Sequence, residues 1–118
     1  MKPLPEAYEQ RALAERLDRS RLRWCHVPNG GHRGMREAAD LRRHGVKAGV
    51  PDVLIFTPTA AAPRGAALEL KRMGETLAAV RDEQWEWLRA LEAVGWRAVV
   101  AFGVDDAVAQ LRALGYRV

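Results

Sequence analysis

Three short apolar runs constrain this chain more than anything else in it: VLIFT at 53–57, AALELK at 66–71 and RAVVAF at 97–102. Each is too short for an ordinary helix and reads as a strand. Leu22 to Val27 (LRWCHV) is a further strand candidate, closed by the turn signal Pro28-Asn29-Gly30-Gly31. Helical stretches lie between the runs. One spans Pro5 to Asp18, with Pro5 where a first-turn proline is tolerated. A shorter one spans Met35 to His44 and ends at Gly45. A long one runs from Leu77 or Val80 to Val94 and ends at Gly95. The last is capped by Asp105 and reaches Leu114 before Gly115. GVKAGVPD (45–52) and TPTAAAPRG (57–65) are the loops. The expected fold class is α/β, a small mixed sheet flanked by helices. With 118 residues and no repeat, low-complexity tract or linker, the expectation is a single domain over 1–118.

Composition narrows the setting. No apolar run approaches the ~18 residues of a membrane span, and the start, MKPLPEAYEQ, lacks the apolar core of a secretion signal. The one cysteine, Cys25, cannot pair within the chain, which suits a reducing cytoplasm, and it reads as a buried small hydrophobe. The net charge is +4. The lysines are Lys2, Lys47 and Lys71, which leaves sixteen of nineteen basic residues as arginine. Arginine grips phosphate with a planar fork, so a polyanionic partner fits, although an Ala- and Arg-rich composition also arises from a GC-rich genome. His26, His32 and His44 show no ligand-like spacing and read as loop or surface residues. There is no GxGxxG, P-loop or zinc-type Cys/His pattern, so no nucleotide cofactor is expected.

Polar residues intrude on apolar elements in three places. In AALELK, side chains alternate between faces, so Glu69 and Lys71 share one face and Leu68 and Leu70 the other. The pair is either a surface ion pair or part of a site. Asp52 stands at the entrance to VLIF, where open α/β sheets place ligands, or else caps a turn. Strands lie ~4.8 Å apart. A hairpin joining the two runs could therefore bring Asp52 and Glu69 onto one divalent ion, and all-oxygen ligation suits Mg²⁺ or Mn²⁺. On the first helix, projected at ~100° per residue from Leu13, Glu6 falls at ~20°, Gln10 at ~60° and Glu9 at about −40°. Glu6 then points into the apolar face with Gln10 beside it, and Glu9 sits at the edge, unless the helix start frays. On the long helix Gln84 shares a face with Leu88 and Leu91. It looks inward, either toward a site or satisfied by backbone.

GVPDVLIF (49–56), ALELKRMGETL (67–77) and RDEQWEWLRALEAVGW (81–96) together resemble the virus-type replication-repair nuclease (VRR-NUC) domain. That family belongs to the PD-(D/E)XK superfamily, with restriction endonucleases and archaeal Holliday-junction resolvases. ExxxQ at Glu6 to Gln10, VPNGG at Val27 to Gly31 and GVKAGVPD at Gly45 to Asp52 look like its stand-alone phage and bacterial members. The resemblance covers residues 6 to 110. It implies a restriction-endonuclease-like core and a metal-dependent endonuclease acting on DNA, on junctions, flaps or other branched forms. Asp52 and Glu69 would bind the metal with the Leu70 carbonyl as a further ligand. Lys71 would position the attacking water and neutralise the phosphate, and Gln84, Glu6 and Gln10 would border the site. An Ala/Pro-rich hairpin loop and Arg81-Asp82, in place of the family's common Ser-Pro, are departures that remove no ligand.

The alternative is a DNA-binding module that keeps the fold without catalysis. Arg33, Arg36, Arg42, Arg43 and Lys47 are the candidate DNA-contacting surface, or a solvated basic face. One chain carries one PD…ExK site, so paired incision calls for a homodimer. Trp85 and Trp87 lie ~200° apart on their helix, so one of them is expected at a partner surface. Otherwise the sheet covers one and the terminal helix or the 57–65 loop covers the other.

Overall fold

A computed structural model describes residues 4–28 and 34–118 of the chain. Its sheet runs in the order β1 (Trp24–His26), β2 (Val53–Ile55), β3 (Ala66–Lys71), β4 (Arg97–Phe102). The first three strands are antiparallel neighbours, and β4 lies parallel to β3. A parallel neighbour needs a crossover, which α3 (Asp82–Ala93) supplies. The mixed α/β architecture expected from the sequence is the one observed.

Strand β3 is the centre of the molecule, and all six of its residues are buried. Its alternation splits the fold into two layers. Leu68 and Leu70 join Leu13 and Leu17 of α1 (Glu6–Arg19) and Ala107, Val108 and Leu111 of α4 (Val104–Ala113) in the main core. The opposite face, with Glu69 and Lys71, is covered by α3, which buries Gln84 and Leu88 there. The buried stripe of α1 is Glu9, Leu13 and Leu17, spaced by four. The stripe is therefore rotated by ~40° about the helix axis from the projected one. Glu9, 6% exposed, is the inward glutamate and Glu6 is exposed, the reverse of the order expected.

Other differences have local causes. The expected strand at 22–27 shortens to Trp24–His26, an edge strand with Cys25 exposed rather than buried. Single hydrogen bonds extend the pairing on both sides: the Phe56 N–H to the Arg23 carbonyl at 2.7 Å, and the Val27 N–H to the Asp52 carbonyl at 2.8 Å. The long helix is broken. Thr76 caps a single 3₁₀ turn, Leu77–Ala79, and an extended Arg81 then restarts the chain as α3. Gly103, not Asp105, occupies the N-cap of α4. Its φ of 90° belongs to glycine, and a Cβ there would stand 2.5 Å from Glu9 Oε2. The helix over Met35–Arg43, α2, carries no buried residue. Asn29 to Arg33 lie outside the described residues.

Strand β4 closes one side of the sheet, and side chains cover its outward backbone. Glu92 Oε1 accepts from the Ala98 N–H at 2.6 Å, and Asp106 Oδ2 from the Phe102 N–H at 2.9 Å. Gln110 Nε2 donates to the Val100 carbonyl at 2.7 Å.

Candidate active site

The hairpin register builds the site. Val53 pairs with Leu68, so the same register continued by one residue sets Asp52 across from Glu69. Both side chains fall on the α3 side of the sheet, with Lys71 two residues further along. The Leu70 N–H donates to Asp52 Oδ2 at 2.7 Å, which fixes that carboxylate against β3. In a strand the N–H and C=O of one residue point the same way, so the Leu70 carbonyl also opens toward Asp52. The Gly103 N–H bonds to the Lys71 carbonyl at 2.8 Å on the other edge of β3, as that alternation requires.

Helix α3 reaches the site through one residue. Gln84 is 5% exposed and every part of its amide is used. Its Nε2 donates to Glu69 Oε1 at 2.6 Å. Its Oε1 accepts from Lys71 Nζ at 3.1 Å and from the Arg81 N–H at 2.8 Å, which also caps the start of α3. Gln84 thus has the backbone partner expected of a buried amide and also bonds Glu69 and Lys71. Lys71 Nζ lies 3.7 Å from Glu69 Oε1. At 8% and 2% exposure these two are no surface ion pair.

Glu69 Oε2 is buried with no hydrogen-bond partner. An ionised oxygen left so is costly, and the cost is visible in its proton affinity. Burial first, and the Asp52 charge second, push the Glu69 carboxyl up to about 8, with Lys71 pulling the other way. Asp52 is also raised by burial, against the Leu70 N–H, His26 and Lys71, which lower it. Two neighbouring carboxylates, one with a buried unpartnered oxygen, are the arrangement that a proton or a cation relieves.

The remaining expected residues are distributed around this centre. Glu6 stands exposed at the rim. Its carboxyl is raised by partial desolvation and by the Asp52 charge and lowered by Lys71, so it shares the field of the site without entering it. Gln10 is half-buried, and neither its Nε2 nor its Oε1 has a partner. Arg36, on the first turn of α2, and Lys47 are exposed, as are Arg42 and Arg43, the latter paired with Asp40. Arg33 lies outside the described residues. Among the described residues no group of three or more His, Cys, Asp or Glu forms a metal cage. Two carboxylates and a carbonyl remain, the kind of set on which Mg²⁺ keeps several waters and takes up substrate phosphate.

His26 is exposed, as expected of a surface residue, and it also touches the backbone of the site, which sequence reasoning did not anticipate. Its Nδ1–H donates to the Asp52 carbonyl at 2.7 Å, and it pairs in register with Val53. Spacing among histidines could not reveal it; placing HVP of β1 beside PDV of β2 would have. Trp87 Nε1 donates to the Ala48 carbonyl at 3.1 Å, so the 45–52 loop covers it, not the terminal helix or the 57–65 loop. Trp85 is half-buried, with the Arg89 guanidinium 5.6 Å from its ring centroid.

The sequence model of the VRR-NUC domain family matches residues 4–105. This chain belongs to the VRR-NUC family. A solved structure of a VRR_NUC domain protein is similar at 28% identity with a TM-score of 0.79, over 97% of this chain and 90% of that one. No curated protein matches. The VRR-NUC family consists of nuclease domains, so the activity class of the chain is DNA-processing hydrolysis. Among the described residues no helix is long and apolar enough to cross a membrane.

Proposed function

We propose that this VRR-NUC domain is an Mg²⁺- or Mn²⁺-dependent endonuclease that cuts branched DNA, such as junctions or flaps, in the cytoplasm. One observation carries the metal: Asp52 and the unpartnered Glu69 Oε2 face each other beside the Leu70 carbonyl. These three would hold the cation. When bound, it supplies an acidified water and takes up charge on a phosphoryl oxygen. The chain's own groups do the rest. Lys71 Nζ, held by Gln84 Oε1, aims a donor at the place where negative charge grows on the phosphate. Gln84 keeps Glu69 Oε1 engaged and leaves Oε2 for the site. Glu6 and Gln10 border the opening, and Arg36 and Lys47, with Arg33, offer charge to the phosphates.

The test is cleavage of labelled junction, flap and duplex DNA with Mg²⁺, Mn²⁺ or EDTA. Cleavage of branched forms with either metal, and none in EDTA, is expected. Asp52→Ala and Glu69→Ala should each fall to background with the fold intact. Binding of every substrate without any cleavage would favour a catalytically silent DNA-binding module instead. The working unit in this reading is a homodimer, because one chain brings one pair of carboxylates and symmetric incision needs two. Light scattering should then give twice the chain mass of 13.2 kDa, and the chain mass at micromolar concentration would remove the dimer.

A further inference from the structure

The last turn of α1 carries Arg16 and Arg19, and the last turn of α4 carries Arg112. Past α4 the chain turns at Gly115, φ 95°, and Tyr116 is driven into the core. There its hydroxyl donates to the Thr57 carbonyl at 2.7 Å. That anchor brings Arg117 alongside the two helix ends. The result is an open groove of about 590 Å³ whose lining includes Arg16, Arg19, Arg112, Arg117 and Val118.

Among the described residues no Asp or Glu side chain answers these four exposed arginines, and Arg112 alone is engaged by an oxygen of Val118, the last residue of the sequence. Among the described residues the ion pairs are Arg43–Asp40, Lys71–Glu69, Arg81–Glu83 and Arg97–Glu92. Asp18, next to Arg19, accepts from Trp24 Nε1 at 2.9 Å instead, and Glu15, next to Arg16, is in none of these ion pairs. Arg112 is partly used, donating to the Val118 carbonyl at 3.0 and 2.6 Å, and Arg19 Nε reaches the Glu15 carbonyl at 3.3 Å. Helix dipoles account for a cation at each helix end. They do not account for Arg117, which is in no helix, or for four guanidinium groups gathered around one groove.

We propose that this groove is a phosphate-binding surface for the nucleic-acid backbone flanking the cut site. The inference rests on the nuclease reading. Three arginine forks, Arg16, Arg19 and Arg117, face one opening with no Asp or Glu on them, and match phosphodiester oxygens better than any neutral partner. The placement also fits. Glu6 lies in the field of the catalytic carboxylates, and Arg16 and Arg19 follow it down α1 by ten and thirteen residues. At 1.5 Å per residue that is roughly 15–20 Å. A duplex presents a phosphate charge every ~1.7 Å of its axis. That separation along α1 is within the length of one substrate arm.

The experiment compares wild type with the triple variant Arg16→Gln/Arg19→Gln/Arg117→Gln, which leaves Arg112 on Val118. Two substrates are used: a long duplex or junction, and bis(p-nitrophenyl) phosphate, which reaches only the carboxylates. In EDTA, the slope of log affinity against log salt for the long DNA should fall by ~2–3, about 0.9 per lost phosphate contact. With metal, KM for the long DNA should rise while kcat stays level. Turnover of the small diester should not change. Replacing the same three residues by lysine should restore most of the slope. A triple variant matching wild type on the long DNA overturns the proposal. It does so even if binding to polyglutamate is lost, which would give the groove to an acidic polypeptide. Wild type that hydrolyses neither substrate removes the nuclease reading itself, a result distinct from an unaltered variant.

Discussion

Glu69 concentrates the chemistry of this molecule in one carboxyl group. Unfolded, it titrates at its usual 4.5; folded, it is raised to about 8. The folded chain therefore holds a proton that the unfolded chain releases across that window. Stability from this group is fully present below 4.5 and is lost as the pH climbs through 8. Asp52 and Glu6, also raised, act with the same sign. Without metal, the melting temperature should fall between those two pH values, and Glu69→Gln should flatten the fall. Calorimetry in EDTA showing a constant or rising melting temperature for wild type would contradict the buried, unpartnered carboxylate. Because a cation competes with that proton, Mn²⁺ affinity should grow with pH over the same range. Lys71 offers the complementary test. Lys71→Ala should lower turnover by about 10²–10³-fold, as loss of a transition-state donor does. It should also raise Glu69 further by removing the charge that now lowers it.

At the scale of elements, α3 and the hairpin depend on each other through Gln84. The amide caps a helix and holds a lysine and a glutamate, so Gln84→Ala should cost about 10–100-fold in cleavage, as outer positioning residues do. It should also loosen the first turn of α3, which amide exchange at Gln84 and Trp85 would report. Leu68→Ala, at the centre of β3, should instead cost about 2–5 kcal/mol in denaturant unfolding. Surviving protein should keep its metal dependence. The elements show what a sequence conveys. Strands β2, β3 and β4 were legible because each is an apolar run, and Asp52, Glu69 and Lys71 because charge stood out against them. The break before α3 was not legible, since Leu77 to Ala79 carry helix-compatible residues and only the extended Arg81 interrupts them. The exchange of Glu6 and Glu9 turned on how a helix rotates against its neighbours. Tertiary packing sets that rotation, and periodicity locates it only to within about one residue.

Taken whole, the molecule is a sheet with a filled core on one face and a polar centre on the other, and its positive charge is spread over both ends. The family relationship was legible because the ordered motifs span nearly the whole chain; the arginine groove was not, because it joins two helix ends with residues far apart in sequence. Copies of a DNA-processing protein can meet on one polymer. A bare strand edge there would offer each copy its neighbour's backbone as a template, the first step of strand-by-strand polymerisation. On β4 that template is already taken. Glu92, Asp106 and Gln110 occupy the hydrogen bonds that an incoming strand would need at Ala98, Phe102 and Val100. On that side of the sheet, copies brought together on DNA find no free template for strand pairing at these three positions.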